Sequence, residues 1–298
     1  MLSLFSLRLT GRNPGAIMEK YAIFSISHGG TYMKIGKIIY GIVVVILVVI
    51  FAVSAIYVGR YFYEANRQQA EYDDLASIVE SLQSATTEAP EELSEPTETG
   101  ETGPTEPVML PEYQVLYEMN DHLVGWIKIE DTNVNYPVMQ TPQEPNYYLH
   151  RNFNRQDSER GCIYAREQCD VFGPSDNITI FGHHMVDGSM FENLSDYRSK
   201  EFWEKHDTII FDTLYEHHTY KIFAVFKTTA TLGEGFSYHQ FIDAANEAEF
   251  DEFVATCRSL AFYDTGVTAS YGDKLITLST CEYTLDNGRL VVVAKRIS

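Results

Sequence analysis

Residues 276–296 read ITLSTCEYTLDNGRLVVVAKR, two apolar β-type runs separated by a short polar turn. The full runs cover 274–280 and 289–295, and both are short and rich in β-branched side chains, as strands are. Cys281 closes the first run and Arg289 opens the second. Six more runs of this kind lie upstream, at 125–130, 134–139, 161–165, 177–181, 208–212 and 218–229. Eight short strands with irregular connections predict a closed or nearly closed barrel rather than a parallel α/β sheet. Helical patterns are added to it. PEYQVLYEMNDHLV places Val115, Leu116, Met119 and Leu123 at helical spacing, and further helices are expected near 189–205 and over 239–260. The expected fold class is all-β with helical additions, including an N-terminal helix and a long helix before a late strand.

Charge divides the chain into zones. Its 298 residues carry 22 Lys plus Arg against 42 Asp plus Glu, a formal charge of −20. No basic stripe is present to neutralise phosphates, so no nucleic-acid partner is expected. Between Lys37 and Arg60 lie 22 residues without a charge, rich in Val and Ile. As a helix they rise about 33 Å, enough for a hydrocarbon core of about 30 Å. Basic residues precede this stretch and mostly acidic ones follow, which predicts a cytoplasmic N-terminus and an extracellular remainder. Ala52-Val-Ser54 offers a rival reading as a signal-peptide cleavage site, but the apolar run is longer than such peptides carry. Met1, Met18 and Met33 are alternative starts.

The expected organisation is a cytoplasmic N-terminus over 1–37, one transmembrane signal anchor over 38–59 and a juxtamembrane helix over 60–83. An acidic linker follows over 84–109, and a single folded domain over 110–298. Residues 84–108 hold seven Glu, four Pro and no aromatic. Such a stretch buries little and repels itself, so it reads as an extended tether.

Four cysteines, Cys162, Cys169, Cys257 and Cys281, fall in the predicted domain without any CxxC-type metal spacing. Cys162 in a strand and Cys257 on a helix read as small buried hydrophobes. Cys169 lies in a loop and is left open. Cys281 sits at a strand end beside a polar turn, where a groove would expose it.

The TLSTC strand end, followed by an Arg opening the next β-run, resembles the sortase family, in the wording of its class B. NITIFGHHM, residues 177–185, is similar to the family's histidine motif. LYEMNDHLVGWIKIEDTNVNYPVMQ and NYYLHRNF resemble the opening of a class B catalytic domain. The resemblance covers about residues 110–298, with its motifs in the family's order. It implies an eight-stranded barrel and a membrane-anchored cysteine transpeptidase. Such an enzyme cleaves a C-terminal sorting signal after Thr through a thioacyl-enzyme and passes the protein to a cell-wall amine. By motif match the catalytic residues are Cys281, His183 and Arg289. Tyr148 and Leu149 match a segment near the family's substrate groove, and Ser279, Thr280 and Glu282 flank the nucleophile. The implied partners are surface proteins bearing a sorting signal, a peptidoglycan precursor or cross-bridge amine, and the membrane. No cofactor and no metal are implied.

Elementary chemistry agrees with those roles. Amide acyl transfer needs a nucleophile, a proton donor for the leaving amine and a group for the oxyanion. An ordinary thiol is only about 3% ionised at pH 7 and an ordinary imidazole is mostly neutral there. The working pair, thiolate with imidazolium, is therefore a minority state. Arg289 stays charged and offers several donors, and the Glu282 N–H is a second oxyanion donor by position. His183 and His184 point to opposite sides in extended chain, so one of them reaches Cys281, and motif position favours His183. His150, His206, His217, His218 and His239 read as surface or structural. Two rivals remain: a tethered Cys/His peptidase with water as acceptor, and a non-catalytic metal-binding surface module.

Overall fold

The computed structural model describes residues 14–88, 107–231 and 233–298, with side chains placed over 37–85, 107–231 and 233–298. Most of the expected acidic linker, and the first thirteen residues, lie outside the described residues. Two compact units are present, Met1–Asn66 and Arg67–Ser298.

The first unit holds the long apolar stretch. A helix, α1, covers Pro14–Glu88, and its portion from Lys37 is long and apolar enough to cross a membrane. Ile42, Leu47, Ile50 and Phe51 on it are all more than half exposed.

In the second unit eight strands close into a barrel in the order β1-β2-β3-β4-β7-β8-β6-β5. They are β1 Leu123–Lys128, β2 Asn135–Met139, β3 Ile163–Ala165, β4 Asn177–Phe181, β5 Thr208–Thr213, β6 Thr219–Thr229, β7 Leu275–Glu282 and β8 Gly288–Arg296. Each overlaps a run read from the sequence. Most pairs are antiparallel, but β2–β3 and β4–β7 are parallel. The β4–β7 pair joins residues nearly a hundred positions apart, from Asn177 with Leu275 to Phe181 with Ser279.

Two apolar clusters hold the barrel. The main core draws on every strand, through Ile127, Val138, Ile163, Ile178, Ile209, Ile222, Ile276 and Leu290 among others. A second cluster lies outside the β6–β8–β7 sheet, where Leu275, Val291 and Val293 meet Phe250, Phe253, Val254 and Cys257 of a helix over Glu247–Leu260. This helix, α4, starts later than expected because Asn246 caps it, its side chain accepting from the Glu249 N–H. A short helix α2, Pro111–Met119, leads into β1, and α3, Lys200–Lys205, follows β4.

The segment of α1 beyond residue 66 is part of the barrel domain. Tyr72, Leu75, Ala76 and Val79 are buried in the main core, at spacings of three and four residues that form one helical stripe. The expected domain start at residue 110 therefore omits a packed helix. The acidic stretch runs between two elements of the same unit, the end of α1 and the start of α2.

Candidate active site

Phe181 of β4 lies opposite Ser279 of β7, and the Gly182 N–H donates to the Ser279 carbonyl at 3.2 Å. Carried two residues further, this parallel register sets His183 level with Cys281. Glycine is required before the histidine, since a Cβ at 182 would come within 2.5 Å of Ile163 and 2.7 Å of the Phe191 ring. On the other side of β7, Cys281 and Arg289 are direct cross-strand partners. The turn between them is tight: Asn287 takes a left-handed φ of 47°. Alternation then decides the faces. Ile178, Ile180, Ile276, Leu278, Leu290 and Val292 enter the main core. Cys281 and Arg289 therefore share the outward face at one end of the barrel, and His183 follows the end of β4, the strand beside β7.

The thiol of Cys281 is half-buried, whereas Cys162, Cys169 and Cys257 are buried and free. Burial pushes the Cys162 and Cys257 thiols well up and that of Cys169 to about 11. His183 Nε2 lies 2.7 Å from the Leu149 carbonyl oxygen. A carbonyl can only accept, so Nε2 carries the hydrogen and Nδ1 remains the nitrogen for proton exchange. Burial holds the His183 pKa below the usual histidine value. The His150 ring, 5.8 Å away, lowers it further, and the bond to Leu149 opposes both. Arg289 Nη1 donates to the carbonyls of Asn287 at 3.2 Å and Gly288 at 2.9 Å. The guanidinium is thereby held on its own turn through Nη1.

A thiol, an imidazole and a guanidinium are the side-chain types that acyl transfer can use as nucleophile, proton carrier and oxyanion donor. A family model described as the sortase domain matches residues 127–297. The chain belongs to the sortase family. The sortase is 29% identical over 258 residues to Sortase B of Staphylococcus aureus (strain NCTC 8325 / PS 47), a match covering 86% of this chain and 96% of that protein. To Sortase B of Listeria monocytogenes serovar 1/2a it is 28% identical over 268 residues, covering 89% and 100%. The solved Staphylococcus aureus sortase B–substrate complex superposes with a TM-score of 0.67 at 29% identity, covering 79% of this chain and 98% of that one. The enzyme is accordingly a class B sortase, a cysteine transpeptidase.

Around Cys281 of this sortase the remaining sequence candidates fall into distinct places. Ser279 shares the outward face, its hydroxyl 2.6 Å from that of Tyr238. Thr280 points into the barrel, where its hydroxyl is buried without a hydrogen-bond partner among the described residues. The Glu282 carboxylate is buried too, accepting from Arg198 at 2.5 Å and from the Thr284 hydroxyl at 2.8 Å. Leu149 meets the site through its backbone carbonyl. Tyr148 is buried, with its hydroxyl 2.8 Å from Asn120 Nδ2 and 3.0 Å from His122 Nδ1. His184 turns away from His183: its Nδ1 lies 3.3 Å from the Ser195 hydroxyl and its ring meets Tyr283 edge-on.

Tyr164 and Tyr238 were not anticipated. Tyr164 pairs with Phe181 across β3–β4, and burial raises the pKa of both tyrosine hydroxyls while the Arg289 charge opposes the rise. Tyr164 on β3 and Tyr238 on a 3₁₀ turn over Tyr238–Gln240 are both buried, so in sequence they resemble core residues and nothing marks them out.

Proposed function

We propose that the enzyme cleaves a C-terminal sorting signal on its carboxyl side of Thr and transfers the protein to a cell-wall amine. The cross-strand pairing of Cys281 with Arg289, with His183 two residues past the end of the neighbouring β4, carries this reading. The Cys281 thiolate attacks the threonine carbonyl, forming an S–C bond, while Arg289 and the Glu282 N–H hold the oxyanion. Collapse breaks the C–N bond, and the proton on His183 Nδ1 goes to the leaving amine. An acceptor amine then loses a proton to His183 and forms the new C–N bond as the S–C bond breaks, releasing the Cys281 thiolate and restoring the starting thiolate and imidazolium. Leu149, Tyr148, Ser279 and Thr280 are assigned to shaping the signal's binding groove, directly or through the strand end.

The 38–59 segment is assigned to a single membrane span with the N-terminus inside, leaving the barrel outside, near its substrates. The test is incubation of the full chain in detergent with sorting-signal peptides, with and without an amine, read by mass spectrometry. A thioacyl adduct on Cys281 and an amine-dependent product are expected, and Cys281→Ala should lose all turnover while keeping its fold. Turnover in Cys281→Ala would overturn the mechanism; a hydrolysis product unaffected by amines would make water the acceptor.

A further inference from the structure

We propose that Gln68 and Tyr72 of α1 are positioning residues for the His183 imidazole, acting through Gly161 and the Leu149 carbonyl. The proposal rests on the catalytic assignment of His183 above and deepens it.

His183 is oriented by one acceptor, the Leu149 carbonyl oxygen at 2.7 Å from Nε2. That carbonyl sits on a single 3₁₀ turn, Tyr147–His150, so its own direction needs support. Gly161 supplies it from behind. Its backbone has a left-handed φ of 57°, and a Cβ there would fall 2.4 Å from the Tyr148 oxygen and 2.5 Å from the Leu149 oxygen. The next residue, Cys162, donates its N–H to the Tyr148 carbonyl at 3.0 Å. Residues 148–149 and 161–162 thus lie backbone against backbone with no side chain between them.

Gly161 is itself gripped by α1. Its carbonyl accepts from Gln68 Nε2 and from the Tyr72 hydroxyl, both at 2.9 Å. Gln68 Nε2 also reaches the Tyr72 hydroxyl at 3.0 Å, and the Gln68 carbonyl oxygen accepts from Ser158 at 2.6 Å. Both side chains are buried, with relative exposures of 6% and 2%. Buried polar groups are costly unless fully paired. Leu75, Ala76 and Val79 already dock the helix by apolar contact alone, so the polar pair adds direction rather than adhesion. The same loop is tied to the segment after His183 as well. Arg160, next to Gly161, bonds Asp187 and donates to the Ser189 hydroxyl. The loop over 151–162 therefore connects the helix to the histidine's acceptor and to the chain beyond it.

The experiment uses the full chain in detergent with a fluorogenic sorting-signal peptide. Tyr72→Phe keeps the ring and removes the hydroxyl; Gln68→Leu keeps the shape and removes the amide. The double variant should lose about 10- to 100-fold in kcat, as a misplaced catalytic group does, with KM within about two-fold. Weakening the bond to Leu149 removes an influence that raises the His183 pKa, so the acid limb of the kcat/KM profile should move to lower pH. Val79→Ala loosens the same helix without touching the loop and should lower Tm while leaving kcat unchanged. A wild-type kcat and pH profile in the double variant, or in Tyr72→Phe alone should the double not fold, overturns the proposal. So does an equal kcat loss in Val79→Ala. His183→Ala is run beside them: if it stays fully active, the catalytic assignment fails instead.

Discussion

Arg289 commits two of its donors to its own turn before any substrate arrives, and that use separates charge from shape. Lysine at this position keeps the charge but cannot hold two turn carbonyls and still aim a planar fork at a third oxygen. Arg289→Lys should therefore lose about 10²–10³-fold in kcat, the range for one preorganised oxyanion donor. Its Cys281 should still react with a small alkylating reagent at close to the normal rate. A matching fall in that thiol reactivity would make Arg289 an activator of the nucleophile instead. At this scale the strand ends that carry Cys281 and Arg289, and the end of β4 just before His183, were legible, because periodicity marks them. The acceptor that orients His183 was not. It is a backbone carbonyl, and every residue has one, so no side chain at 149 announces it.

Strand limits were read to within a few residues, and the deviations have physical causes. The run expected over 161–165 begins its ladder only at Ile163, because Gly161 turns left-handed and Cys162 bonds back to Tyr148. The helix expected over 239–260 contracts because residues 242–244 latch onto the start of β4, with the Asn177 N–H donating to the Ile242 carbonyl at 2.8 Å. One element-to-element tie has a pH signature. Glu282 at the end of β7 is buried, which raises its pKa, but the Thr284 bonds and the Arg198 charge outweigh this and hold it below the usual value. A depressed carboxylate stabilises the fold fully above its unfolded pKa of about 4.3 and loses that contribution as pH falls through the folded value. Arg198→Met should cost about 1–3 kcal/mol at neutral pH and flatten the loss of stability on acidification, measured by denaturant unfolding at pH 7 and below pH 4. An unchanged acid slope would show that the pair contributes nothing to folding.

Across the whole molecule, the barrel and its order of motifs could be read from sequence, whereas the place of the helix after residue 66 was not drawn from it. Tyr72, Leu75, Ala76 and Val79 do form a stripe, but a helix leaving a membrane needs no partner, and the acidic stretch after it suggested a tether. Comparing residues 67–298 with 110–298 measures the difference. Removing the buried stripe should cost about 3 kcal/mol or more, roughly 6–12 °C in Tm for a domain of this size. Equal melting temperatures would mean the helix adds nothing to stability. The parallel β4–β7 pair carries a further consequence, for time rather than energy. Partners about a hundred residues apart meet only after the intervening chain has paid its loop-closure entropy, which makes barrel formation slow. His183 and Cys281 are brought level by that late pairing alone. A chain in which β4 and β7 have not yet paired therefore carries a thiol without its partners, and the arrangement around Cys281 is complete only as these strands zip together.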